Sequence, residues 1–218
     1  THLASSAASD VYKRQALPAL LFLVVAFGLY VTKEDSKETA IYLVSGVCYL
    51  GIPLSMLIWL RSLDSIGYWI ILYIYAVTWG ADTMAYFVGK SMGKTPLAKK
   101  ISPGKTVEGL VGACLGAMLF GSLVILLSRY VLETEISRSV EGSIVFLGWD
   151  WMYLLPISFF LGCVGQAGDL FESHIKRIYN VKDSGKIIPG HGGVLDRIDA
   201  LVFNAVFIGL IYYTALWL

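Results

Sequence analysis

The densest run of charge in the chain lies between Gly168 and Asp199, GDLFESHIKRIYNVKDSGKIIPGHGGVLDRID, where acids and bases alternate. On a helix carried through its first part, Asp169, Glu172, Ser173, Lys176 and Arg177 recur at three- and four-residue spacing and share one face. Pro189-Gly190-His191-Gly192-Gly193 then forces a tight turn whose glycines let backbone approach a ligand, and Asp196, Arg197 and Asp199 follow at once. Carboxylates are hard oxygen donors that suit Mg²⁺, an ion commonly shared with substrate phosphates. Clustered Lys and Arg neutralise charge developing on phosphoryl oxygens and on a diphosphate leaving group. The combination points to phosphoryl or nucleotidyl transfer. Ion pairs on a solvated loop, at ~0–1 kcal/mol each, are the plainer alternative, but they explain neither the glycine-rich turn nor the second set of acids.

A second basic segment, Lys90–Gly109, reads KSMGKTPLAKKISPGKTVEG. Lys90, Lys94, Lys99, Lys100 and Lys105 are interleaved with Gly, Pro, Ser and Thr, which leaves ammonium and backbone N–H groups free for phosphate oxygens. Its two Gly-Lys-Thr triplets are not phosphate-binding loops of the GxxxxGK[ST] type. The first would need glycine at Val88 and the second at Lys99, and an apolar helix rather than a strand precedes them. Asp82 stands apart, inside an apolar run, with Trp79 before it and Tyr86 one turn after. A carboxylate at bilayer depth costs a few kcal/mol, so it is expected to face a polar cavity or a cation.

The elements that must position these groups are read from composition. Of 218 residues, 56% are hydrophobic and 15% charged, and the mean hydropathy is +0.68, too apolar for a soluble domain. Runs at Ala16–Val31, Ala40–Leu60, Gly67–Gly89, Val107–Ser128, Met152–Glu172 and Ala200–Leu218 predict an all-α polytopic membrane protein of about six spans. The composition of Thr1–Gln15 changes abruptly at Ala16, so this stretch is expected to be a non-native leader, leaving residues 16–218 as the membrane domain. A secretory signal over Lys13–Val31 lacks a small-x-small cleavage site. Lys and Arg place both basic loops on the cytoplasmic side, and the acidic stretch Arg129–Asp150 opposite. The formal charge of +1 supplies no basic field, so nucleic acid is excluded as a partner. Cys48, Cys114 and Cys163 share no metal-type spacing and read as packing residues. Gly112 and Gly116, and Gly162, Gly165 and Gly168, mark faces for close helix approach.

The charged segments resemble one known family. Ser173-x-x-Lys176-Arg177, then Lys182-Asp183, His191-Gly192-Gly193 and Asp196-Arg197-x-Asp199 fill without a gap the motif of the phosphatidate cytidylyltransferases, or CDP-diacylglycerol synthases. Asp82-Thr-Met-Ala-Tyr-Phe-Val-Gly89 and Ser102-Pro-Gly-Lys-Thr-Val-Glu-Gly109 resemble two further family segments. Gly104 and Val107 depart from the pattern, where a bulkier or basic residue and an aromatic one are expected. The similarity runs from about Ala16 to Leu218, and since members usually carry more N-terminal helices, the chain reads as the C-terminal portion of the family fold.

The resemblance implies CTP + phosphatidic acid → CDP-diacylglycerol + diphosphate, in a cavity open to the cytoplasm and to membrane lipid, in a bacterial cell membrane. It implies a divalent metal, Mg²⁺, on Asp169 and Asp196, with a monovalent cation such as K⁺ nearby, and a homodimer as a common family state. Lys176, Arg177, Lys182 and Arg197 are expected to hold phosphate groups. Lys105 is expected at the triphosphate tail within a loop that includes Ser102, Thr106 and Glu108, and Asp82 to orient a lysine or water. Ser173, Asp183, His191 and Asp199 complete the expected substrate site, His191 as a turn-orienting residue. Two other readings compete: a CTP-dependent membrane lipid kinase or related lipid-phosphate cytidylyltransferase, and an ion-coupled transporter using Asp82 and Asp169.

Overall fold

The computed structural model of the chain describes residues 44–136, 151–185 and 193–215. The leader, the first expected span, His191 and Gly192 lie outside the described residues. The first described helix holds a π-helical turn, Val47–Gly51, followed directly by α1, Ile52–Arg61. Pro53 lacks the N–H that an α-helical bond to Tyr49 would need, a common origin of such a turn. There follow α2, Asp64–Met92, an antiparallel hairpin of β1, Pro96–Ala98, and β2, Ser102–Thr106, then α3, Val107–Ile136, α4, Trp151–Ile178, and α5, Leu195–Ala215.

The fold is helical, as expected, and apolar enough for a membrane. Among the described residues Val44–Arg61, Val107–Ser128 and Leu154–Ile178 are long and apolar enough to cross a bilayer. Helices α2 and α5 stand where the third and sixth spans were expected. At ~1.5 Å per residue, the 29 residues of α2 reach about 43 Å, beyond the ~30 Å hydrocarbon layer.

Helix α2 is central. Ile70, Tyr73, Ile74, Val77 and Ala81 are buried along it at helical spacing, in one cluster with Ala113, Ala117 and Val124 of α3, Leu154 and Leu161 of α4, and Leu201 and Ile208 of α5. The small residues work as the sequence predicts. A Cβ on Gly112 would come within 2.7 Å of Val88 Cβ, and one on Gly162 within 2.8 Å of Cys114 Cα, so backbones meet where lipid offers no hydrophobic drive. Polar pairs tie the same helices: the Tyr73 hydroxyl and Ser158 Oγ lie 2.7 Å apart, and Asn204 Nδ2 donates to Thr78 Oγ1 at 2.9 Å. Cys114 and Cys163 pack across α3 and α4 as free thiols, their sulfurs 3.3 Å apart.

Candidate active site

At Gly168, beside the charged motif, α4 and α5 approach closely, since a Cβ there would sit 2.8 Å from the Asp199 carbonyl oxygen and from Phe203. That approach sets Asp169 and Glu172 of α4 against Asp199 of α5, with one carboxylate oxygen of each within 4.8 Å of the others. Glu172 is 1% exposed. Its Oε2 accepts from Lys176 Nζ at 2.6 Å, while its Oε1 is buried without a hydrogen-bond partner. A buried carboxylate oxygen left unpaired is costly unless something meets it. Three converging hard oxygen donors with one such orphan fit a divalent cation such as Mg²⁺.

Asp196, expected as a metal ligand beside Asp169, stands outside this trio. Its Oδ1 accepts from Lys176 Nζ at 2.6 Å. Its Oδ2 accepts from the Ser184 N–H and hydroxyl at 2.9 and 2.8 Å and from the Gly193 N–H at 2.7 Å. Burial would raise the Asp196 carboxyl, but the bonds from Lys176, Gly193 and Ser184 outweigh it and hold the group well below the usual carboxylate range. With these bonds Asp196, near the positive end of the α5 dipole, ties the start of α5 to the loop returning from α4. That loop begins just past the end of α4, at Asn180, which adopts the left-handed conformation at φ 54°. The Val181 N–H closes back on the Lys176 carbonyl at 2.9 Å. Lys176 is thus gripped between Glu172 and Asp196, and joins the cation-ready trio to that tie.

On the other side the hairpin reaches over. Lys105 of β2 places Nζ 2.7 Å from Asp169 Oδ2 and 3.5 Å from the Gln166 carbonyl oxygen. Ser173 Oγ donates to the other oxygen of Asp169 at 3.2 Å. A cavity of about 490 Å³ opens here, lined by Asp82, Tyr86, Lys90, Lys105, Gln166 and Asp169 among others. Asp82, expected to face such a cavity, does so, and its Oδ1 accepts from Gln166 Nε2 at 3.3 Å. The Lys90 ammonium lies 5.4 Å from the Tyr86 ring centroid, within cation–π range.

The remaining expected residues divide. Thr106 lines the cavity and caps α3, its hydroxyl accepting from the Gly109 N–H at 3.1 Å. Glu108 accepts from the Lys94 and Thr95 N–H groups and the Thr95 hydroxyl, so its carboxylate shapes the hairpin. Arg177 donates to the carbonyls of Ile101 and Val181, both at 3.2 Å, and pins the hairpin tip to the end of α4. Ser102 begins β2, Lys182 and Asp183 are exposed in the turn after α4, and Arg197 is exposed in the first turn of α5. Gln166 was not anticipated, and Glu172 was anticipated only as part of a polar face. An amide three residues before Asp169, inside an otherwise apolar run, was the available signal for Gln166.

Residues 4–215 match the cytidylyltransferase family. A phosphatidate cytidylyltransferase of Bacillus subtilis (strain 168) is 35% identical over 201 residues, 92% of this chain and 68% of the relative. Its namesake in Rickettsia typhi (strain ATCC VR-144 / Wilmington) is 38% identical over 196 residues, 89% of this chain and 81% of the relative. The one in Staphylococcus aureus (strain COL) is 37% identical over 194 residues, 89% and 67%. With its family matched over nearly the whole length and its acids and lysines gathered beside one cavity among apolar helices, the chain belongs to the cytidylyltransferase family, and is a membrane nucleotidyltransferase.

Proposed function

We propose that the chain transfers the cytidylyl group of CTP to phosphatidate, releasing diphosphate and forming CDP-diacylglycerol. The observation that carries this reading is the trio Asp169, Glu172 and Asp199, flanked by Lys105 and Lys176, with Asp169 and Lys105 lining a cavity among apolar helices. The relatives' names supply the substrates.

The chemical problem is repulsion, since one phosphate must attack another. A phosphatidate oxygen forms a bond to the α-phosphorus of CTP, the bond from that phosphorus to the bridging oxygen breaks, and the electron pair leaves with diphosphate. Mg²⁺ held by Asp169, Glu172 and Asp199 would supply charge neutralisation at the phosphates. Lys105 meets the nucleotide's phosphates from the hairpin side, and Lys176, fixed by two carboxylates, keeps a positive charge beside the trio. The phosphatidate oxygen is already ionised near neutral pH, so no general base is called on. The lysines of the hairpin favour, by the positive-inside rule, a cavity mouth on the cytoplasmic face of a bacterial cell membrane.

The test is to incubate the detergent-solubilised chain with labelled CTP, phosphatidic acid and Mg²⁺. A nucleotide-linked lipid and diphosphate are expected, lost with chelator and restored by excess Mg²⁺. Release of CDP with a phosphorylated lipid would contradict the reading in favour of a kinase.

A further inference from the structure

The cavity wall carries a pair of groups that phosphate chemistry does not use. Gln166 Nε2 donates to Asp82 Oδ1 at 3.3 Å, and both side chains line the cavity. Asp82 Oδ2 accepts no hydrogen bond among the described residues, and the second N–H of the Gln166 amide is likewise uncommitted there. A free acceptor and a free donor therefore stand side by side, on α2 and α4, three residues from Asp169 along α4. Tyr86 lies one helical turn beyond Asp82 on the same cavity wall and offers an aromatic face.

We propose that Asp82 and Gln166 read the cytosine ring of the nucleotide. This rests on the reading above that the chain uses CTP. Cytosine presents an exocyclic amine beside the ring nitrogen N3, a donor next to an acceptor. Asp82 accepts from the amine, as carboxylates do in base recognition, and the Gln166 amide donates to N3. Uracil reverses both signs: its O4 carbonyl opposes the carboxylate, and its N3–H opposes the amide. Discrimination thus comes from repulsion as well as attraction, since a mismatched base leaves the carboxylate and the amide facing groups of their own sign. Tyr86 supplies a stacking surface, which every base accepts and which sets no preference.

A purely structural role for the pair is the rival, because a hydrogen bond between two membrane helices also ties α2 to α4. The measurement that separates them is the ratio of kcat/KM for CTP over UTP, which does not depend on how much protein is folded. In Asp82→Asn the carboxamide turns an N–H toward uracil O4, and the CTP/UTP ratio is expected to fall by about tenfold or more. An unchanged ratio, with both substrates losing equally, would overturn the proposal. If Asp82→Asn does not fold, the unsubstituted chain answers through the CTP analogue lacking the 4-amino group. Its kcat/KM should lie about tenfold or more below that of CTP, and equal values would overturn the assignment. Failure of the unsubstituted chain to make any nucleotide-linked lipid from CTP would instead overturn the parent reading, and this inference with it.

Discussion

Lys105 Nζ lies 2.7 Å from Asp169 Oδ2, which fastens the hairpin between α2 and α3 to the acid trio through side chains only 16% and 31% exposed. An ion pair so placed is shielded from the screening that makes surface pairs nearly worthless. It also fixes the one lysine of the hairpin that reaches the trio.

Replacement of Lys105 by alanine is expected to raise KM for CTP roughly ten- to hundredfold, the loss of one charge-assisted hydrogen bond to phosphate. KM for phosphatidate should change little. Steady-state kinetics with each substrate varied in turn checks this, and a rise confined to phosphatidate would place the nucleotide elsewhere.

Asp196 is expected to act on stability before chemistry. Asp196→Asn removes a carboxylate that accepts from Lys176, Ser184 and Gly193, and thermal unfolding in detergent should show a loss of about 1–3 kcal/mol. The folded-state carboxyl is held below its ordinary value of 3.8. Its contribution is therefore complete above that value and fades only as pH falls further, through the folded pKa. The difference in unfolding temperature between the two proteins should therefore be smaller at about pH 3 than at about pH 7; a difference that grows as pH falls would contradict the assignment.

Spacing of α4 and α5 at Gly168 is expected to control both stability and turnover. A side chain there meets the Asp199 carbonyl and Phe203 at 2.8 Å, so Gly168→Leu should cost about 1–3 kcal/mol as overpacking does and spread the trio, lowering kcat. Gly104→Ala is the control, since an added Cβ there meets nothing within 4 Å, and it should fold as the parent does.

Much of this arrangement was legible in the sequence, and the rest was hidden for physical reasons. Hydropathy marks the bilayer rather than the helix. The expected span Met152–Glu172 is therefore part of a helix that runs to Ile178 and carries Lys176 and Arg177 out on its polar end. Asp82 declared itself because a lone carboxylate in an apolar run needs a cavity. Its partner Gln166 lies on another helix, and no periodicity within α2 reveals which face of α4 it meets. The motif drew attention to Asp169 and Asp196 alike, but only the fold separates them. Asp196 spends its lone pairs on a helix start and a loop, while Glu172, which reads as one more charge on a polar face, is buried with an oxygen to spare. The phosphate-binding loop expected at Lys90–Gly109 forms a hairpin that Ser-Pro-Gly-Lys-Thr, with little strand preference, does not announce; its order comes from Glu108 and Arg177, which tie it to α3 and α4.

Asp169, Glu172 and Asp199 are expected to hold a divalent cation together. Titration of the purified chain with Mn²⁺, followed by electron paramagnetic resonance of the free ion, tests it directly. One site is expected in the parent, abolished in Asp169→Asn and in Glu172→Gln, and retained in Asp196→Asn. Loss of the site in Asp196→Asn with full binding in Glu172→Gln would contradict the account.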